Sequence, residues 1–210
     1  MKYFLLSKFK LLSLFNLEGV PIKILPDSVG NLCLLHYLGL RRTKLIELPS
    51  FIGRPITLET LDIRDTSIRD LPQDLEQLNK LRHLLLASSF DHKVVNLPVD
   101  IASFKDLQTL AGVKLTKRIG ENLKELQQLQ KLSVGKVNSN LLNQLAISIN
   151  RMESLRSLTI KCDLGEQILA RSFTSLIEIQ MLRIEGEVLD MLGWIKNLKS
   201  DTFRIEGLCS

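Results

Sequence analysis

Three histidines and three cysteines are the side chains of this 210-residue sequence with the widest chemical repertoire. Grouped at short spacing they would hold zinc or activate a nucleophile. Cys33, Cys162 and Cys209 are instead scattered, and no C-x-x-C occurs. Asp91-His92 joins an acid to a base but belongs to no catalytic motif, and both G-x-S-x-G and H-E-x-x-H are absent. A thiol without an activating neighbour is a poor nucleophile. Solvated histidines and free thiols are therefore the expectation, and the chain is read as non-enzymatic, with no metal and no cofactor.

Recognition is the other chemistry within reach. His36, Tyr37, Arg41, Arg42, Glu59, Asp62, Arg64, Arg82, His83, Lys131, Arg156, Lys161 and Arg183 recur at related offsets along the chain. Arginine forks match carboxylates, and a tyrosine supplies a rigid contact at low entropy cost. Such residues act together only if a scaffold brings them to one surface. That scaffold is specified by the residues between them.

LHYLGLRRTKLIELP at Leu35–Pro49 is echoed by LETLDIRDTSIRDLP at Leu58–Pro72, and the two copies start 23 residues apart. Each has an L-x-x-L-x-[LI] core, two polar residues, a threonine, an apolar residue and a Leu-Pro pair. A fixed period of this size with this leucine spacing is the leucine-rich-repeat pattern. The same frame gives starts at Leu12, Leu81, Leu107, Leu129, Leu155 and Ile179, and a weaker one at Ser200 with Phe203 and Ile205. The second and third core positions lie two apart, so they face one side of a short strand. Successive strands then pair in parallel and stack their leucines. One copy alone buries too little to offset the entropy of ordering it, so neighbours are obligatory.

The returns change style along the chain. Leu-Pro recurs at Leu25-Pro26, Leu48-Pro49, Leu71-Pro72 and Leu97-Pro98, with apolar Val29, Ile52, Leu75 and Ile101 three residues on. That spacing suits one helical or 3₁₀ turn with proline at its first position. In the Leu81 repeat SSFDHKV reads as an inserted loop. Beyond about residue 105 the returns read as more helical, over Glu121–Leu132 and Asn140–Met152. Leu107/Leu110/Gly112 is taken as the core triplet of its repeat. The expected fold is α/β: a leucine-rich-repeat solenoid (horseshoe) of about eight to nine repeats, in one domain over 1–210. A parallel β-sheet lines its concave face, and short helical or 3₁₀ returns line its convex face.

Positions 2, 3, 5, 7 and 8 of each repeat should face solvent from the sheet. Over nine repeats they hold 11 Lys/Arg against 7 Asp/Glu, which accounts for most of the net charge of +5. That surplus mildly favours acidic partners. No Lys/Arg run exceeds two residues, so a nucleic-acid partner is not expected. The alternative for the face is simple solvation, since a sheet must show polar residues to water. Leu14, Leu85, Ala111, Val113 and Met181 in the same slots read as an apolar contact surface. No N-x-[ST] sequon and no close Cys pair stand in the chain, and no apolar run reaches about 18 residues. The start, MKYFLLSKFKLLSLF, reads as the edge of the first repeat rather than a leader.

LFNLEGVPIKILPDSVGNL, LHYLGLRRTKLIELPSFIG, LETLDIRDTSIRDLP and LNKLRHLLL resemble the repeats of plant intracellular nucleotide-binding leucine-rich-repeat disease-resistance proteins, in particular the coiled-coil class. LQTLAGV, ELQQLQKLSVGKV and RMESLRSLTI extend the resemblance over nearly the whole chain. It implies a cytoplasmic module of plant innate immunity that senses pathogen effectors or modified host proteins. It also implies contacts that restrain a nucleotide-binding switch. No G-x-x-x-x-G-K-[ST] is present, and VGKV lacks its spacing, so the chain is expected to be the repeat portion alone. The alternative is a stand-alone intracellular scaffold outside immunity.

Overall fold

The computed structural model describes residues 9, 11–87, 93–98, 100–163 and 179–186 in full, and residues 167–169, 187–189 and 202–206 as backbone. Its main feature is one parallel sheet of nine strands, each taken from one repeat. The strands are β1 (Leu14–Asn16), β2 (Tyr37–Gly39), β3 (Thr60–Asp62), β4 (His83–Leu85), β5 (Thr109–Lys114), β6 (Lys131–Val137), β7 (Ser157–Cys162), β9 (Met181–Glu185) and β11 (Thr202–Glu206). Register is uniform: Phe15, Leu38, Leu61, Leu84, Leu110, Leu132, Leu158 and Leu182 stand side by side across eight strands, with Phe203 next to Leu182 on the ninth. The weak ninth repeat of the sequence is thus a strand in frame.

Leu35, Leu38 and Leu40 are fully buried, as are Leu58, Leu61 and Ile63, and Leu81 and Leu84. Each such side chain contributes about 1.5–3 kcal/mol when removed from water. One apolar cluster runs from Ile22 to Ile184. The solenoid grows by adding layers to it.

The returns follow from local chemistry. After Pro26, Pro49 and Pro72 the chain forms 3₁₀ turns over Asp27–Asn31, Ser50–Gly53 and Gln73–Gln77. Proline occupies the cap before each turn rather than its first helical residue, with φ near the value its ring fixes (−66°, −74° and −71°). Val29, Ile52, Leu75 and Ile101 are buried as the spacing predicts.

Three features differ from the sequence reading. Gly112 is not a core residue: it sits in a bulge at φ 84°, and Val113, expected on the solvent-facing apolar surface, is instead fully buried beside Val134. A pattern match at fixed spacing misses one extra residue in a strand. The first helical return begins earlier than expected, as α1 (Lys117–Asn122) with a 3₁₀ turn over Leu123–Glu125, and Lys131-Leu132 already belong to β6. Thr116 sets this start, since its hydroxyl accepts the Ile119 amide hydrogen bond at 3.3 Å. The second helix, α2 (Ser139–Ile149), lies where expected and is capped by Asn138. In the last two returns the backbone forms a separate parallel pair, β8 (Gln167–Leu169) with β10 (Glu187–Leu189). Asp91, His92 and Cys209 lie outside the described residues.

A turn at position 8 repeats along the solenoid. Gly19, Arg42, Asp65 and Lys136 all have φ between 57° and 74°. At the next position Thr43 and Thr66 are buried, and their hydroxyls donate to Leu40 O and Ile63 O at 2.8 Å. The threonine in the repeated phrase is therefore a backbone clamp. Thr66→Val removes the donor at nearly constant volume and leaves a buried carbonyl short of a partner. It should cost about 1–2 kcal/mol, read as a lower urea midpoint at unchanged slope.

Candidate functional site

The outer side of the sheet carries the thirteen residues singled out from the sequence, in rows fixed by the register. Asp62 and Lys161, however, are buried at 3% and 6% exposure because neighbouring ion-pair partners cover them, so these two slots do not face solvent as expected. Arg82 and Arg156 precede β4 and β7 at the strand-entry rim, as His36 and Glu59 do for β2 and β3. Tyr37, His83 and Lys131 share the row of Thr60, Thr109 and Ser157. Asp62 and Arg183 share the row of Gly39, Leu85, Ala111, Ser133 and Thr159. Arg41, Arg64 and Lys161 stand at the strand exits. The structure therefore brings these residues to one surface, although along an extended strip rather than into one pocket.

At the β1–β3 end their charges are internally neutralised. Arg41 meets Asp65 at 2.9 Å and Glu18 at 3.7 Å. Arg42 reaches the same two carboxylates at 3.6 and 3.9 Å. Arg64 grips Asp62 through two bonds, 2.9 Å from Nε and 2.6 Å from Nη2. Asp62 is only 3% exposed, and its Oδ1 also accepts the Arg64 amide hydrogen bond at 3.1 Å. This hydrogen bonding to Asp62 holds the Arg64 guanidinium above its ordinary pKa. Farther along, Arg82 pairs with Glu59 at 3.5 Å. Four arginines thus face four carboxylates. Arg41 and Arg64, two of the arginines singled out from the sequence, hold the face together, so substituting them perturbs the scaffold as well as its surface. Glu18 and Asp65, which complete the network, stand outside the thirteen residues. Their signal was position 7 in one repeat and position 8 in another, visible only once neighbouring repeats are aligned.

Tyr37 and Asn16 both flank Gly39. A Cβ built on Gly39 would come within 2.9 Å of the Tyr37 ring. Burial, and then the nearby Asp62 and Glu18 carboxylates, push the Tyr37 phenol pKa up, so it stays protonated and able to donate. His83 faces Thr109, with Nδ1 3.2 Å from its hydroxyl. Burial, and next the Arg82 charge, lower its pKa, and Glu59 opposes the shift. His83 is thus neutral at physiological pH. His36 is exposed at the rim, and no His/Cys/Asp/Glu group among the described residues could hold a metal ion.

Beyond β4, residues 93–95 contribute to the face. The Lys93 ammonium donates to Thr66 O, Val94 lies over Gly135, and Val95 N donates to Gly112 O at 3.0 Å. One loop therefore ties the β3 repeat to the β5 and β6 repeats, and Gly112 and Gly135 leave space for the chain itself. At the far end Glu185 meets Arg183 at 3.1 Å and Lys161 at 3.5 Å, with Lys161 only 6% exposed. Lys136 pairs with Asp163 at 2.8 Å. Cys162 is half-buried rather than fully exposed, and Cys33 is exposed. On the returns, a hollow of about 220 Å³ lies between α1 and α2, lined by residues including Glu121, Lys124, Ile147 and Arg151. No helix among the described residues is long and apolar enough to cross a membrane.

Comparison with solved structures places this architecture. Internalin C2 from Listeria monocytogenes superposes with a TM-score of 0.63 at 14% identity, covering 97% of this chain and 84% of that one. A plant ice-binding protein gives 0.54 at 15% identity, over 88% of this chain and 69% of its own. The plant peptide hormone receptor RGFR1, in complex with RGF2, gives 0.52 at 17% identity over 93% of this chain. This chain spans 41% of that receptor chain. At such identities the likeness is one of fold. A sequence search of curated proteins finds no match. The leucine-rich repeat region family model matches residues 1–208, and with nine parallel strands in repeat register the chain belongs to that family.

Proposed function

We propose that this chain is the protein-recognition module of a plant intracellular immune receptor, in which it senses a pathogen effector or a modified host protein. In this reading it is non-enzymatic, cytoplasmic and one repeat domain throughout. It also restrains a nucleotide-binding switch by contact. The observation that carries the reading is the sheet face itself: a broad, continuous surface of polar and charged side chains fixed by register and joined by ion pairs. Such a preorganised surface suits a polypeptide partner, since little side-chain entropy remains to be lost on binding. The repeat phrases at Leu35–Pro49 and Leu58–Pro72 support the immune-receptor assignment through their resemblance to that class. A solved relative of the same fold, a plant peptide hormone receptor in complex with RGF2, supports polypeptide recognition.

Co-expression with the nucleotide-binding module of a coiled-coil-class receptor tests the reading. The two should co-purify, and Arg82→Glu with Lys131→Glu should weaken the complex by about tenfold or more, as expected for paired charges at an interface. Thermal melting should remain cooperative, because both side chains are exposed at the rim or on the face. No co-purification, together with a transcript lacking an in-frame P-loop upstream of Met1, would leave a stand-alone scaffold.

A further inference from the structure

The charges on the sheet are segregated along the solenoid. Carboxylates crowd the β1–β3 end, where Glu18, Asp62 and Asp65 are each held by an arginine. Another, Glu185, stands on β9 against Lys161 and Arg183. Between these ends, positions 2, 3, 5 and 7 across β4–β7 contain no carboxylate at all. Arg82, Lys131 and Arg156 rise from this part of the strand-entry side, and Lys114 from the exit side. Arg82, Lys114 and Lys131 are exposed, and no ion pair to Lys114 or Lys131 occurs among the described residues. The floor between them is short and uncharged: Thr109, Ala111, Ser133, Ser157 and Thr159.

We infer that the β4–β7 face receives an extended acidic polypeptide segment with short side chains, its carboxylates seated on Arg82, Lys131 and Arg156. The inference rests on the recognition reading above and specifies its partner. Neighbouring parallel strands lie about 4.8 Å apart, so the three cations span about 15 Å, the reach of about five extended residues. Two or three Asp/Glu within such a segment match the row. Small floor residues let a backbone approach closely, and the Thr and Ser hydroxyls offer hydrogen bonds to it. A nucleic acid is the poorer match. Single-stranded binding relies on aromatic stacking platforms, and the described residues of β4–β7 place no aromatic ring other than the His83 imidazole on this face. A partner carboxylate competes with Glu59 for Arg82, and at Arg156 it adds to a guanidinium whose Nη1 already donates to Glu153 O at 2.6 Å and Leu155 O at 3.3 Å, so Lys131 carries the discriminating contact.

Fluorescence polarisation with a labelled decapeptide of alternating Ser and Glu, at about 50 mM salt, tests this. Saturable binding is expected, falling at least fivefold at about 200 mM salt as exposed charges are screened. The Ser/Gln and Ser/Lys versions should not bind, and a twelve-nucleotide oligothymidylate should bind at least tenfold more weakly. Lys131→Gln with Arg156→Gln should reduce affinity at least tenfold, whereas Arg42→Gln, in the neutralised cluster, should change it less than twofold. Circular dichroism confirms that each variant is folded, and Lys131→Gln alone, on an exposed side chain, serves if the pair fails to fold. Absence of Ser/Glu binding, equal binding of oligothymidylate, or unchanged affinity in the folded Lys131 variants overturns the inference. Loss of peptide binding with co-purification intact removes this inference alone. Peptide binding without co-purification removes the immune-receptor reading alone.

Discussion

Replacing Gly112 with alanine should destabilise the protein by about 3 kcal/mol or more. Gly112 has φ 84°, which costs an L-residue roughly 1–2 kcal/mol. Its absent Cβ would stand 2.5 Å from Ala87 N and 2.8 Å from Ala87 Cα. That backbone cannot easily retreat, because Ala87 N donates to Ala111 O and Val95 N to Gly112 O. Overpacking against fixed atoms adds roughly 1–3 kcal/mol. Gly120→Ala is the matched control. It lies in α1, where a new Cβ would meet Gln144 Cβ at 3.7 Å and Leu115 Cδ1 at 3.9 Å, both ordinary contacts. Helix propensity then favours alanine by about 0.5–1 kcal/mol. Urea unfolding of the two variants should move the midpoint in opposite directions. Equal shifts would mean that the β5 bulge is not present in solution.

Leu84→Ala should cost about 3–4 kcal/mol. Leu84 is fully buried and stands between Leu61 on β3 and Leu110 on β5, so the cavity opens at the junction of two repeats. In a solenoid, stability is a sum of repeat and nearest-neighbour terms. Weakening a central interface therefore lowers the coupling between the two halves as well as the total. The expected signature is a lower midpoint together with a broader transition, as the β1–β3 and β5–β9 halves begin to unfold separately. Phe15→Ala on the terminal strand β1 is the comparison. Its side chain is only partly buried and has repeats on one side, so about half the loss and no broadening are expected. A central defect that leaves the transition as sharp as in the parent would argue against one-dimensional coupling.

Much of this fold was legible in the sequence because its rules are local and repeated. A leucine at each core position must find an inward place on a short strand, and a 23-residue period gives every repeat the same solution. The Leu-Pro pairs likewise marked the 3₁₀ returns, since proline presets the backbone that enters them. The pattern failed where one residue was added. Gly112 fits the core spacing by count, yet only the pairing of Val113 with Val134 reveals the bulge that displaces it. The start of α1 departs from the sequence pattern for a related reason: Thr116 caps the helix ahead of the Glu-, Leu- and Gln-rich stretch.

The candidate surface was legible in its membership and not in its electrostatics. Alternation along a strand placed His36, Tyr37, Arg82, Lys131 and the rest on the solvent side. A summed charge of basic against acidic slots then suggested a mildly positive face suited to acidic partners. Coulomb attraction acts over a few ångströms, and those few ångströms lie between repeats about 23 residues apart in the chain. Register decides that Asp65 meets Arg41, that Asp62 stands beneath Arg64, and that the β4–β7 strands contribute no carboxylate of their own at positions 2, 3, 5 and 7. By itself the sequence determined the repeat, its inward leucines and most of the side chains on the outer side of the sheet, but not that Asp62, Val113 and Lys161 are buried there. The tertiary structure decided which of those charges neutralise one another and which remain for a partner, because only the stacking of layers sets distances between them.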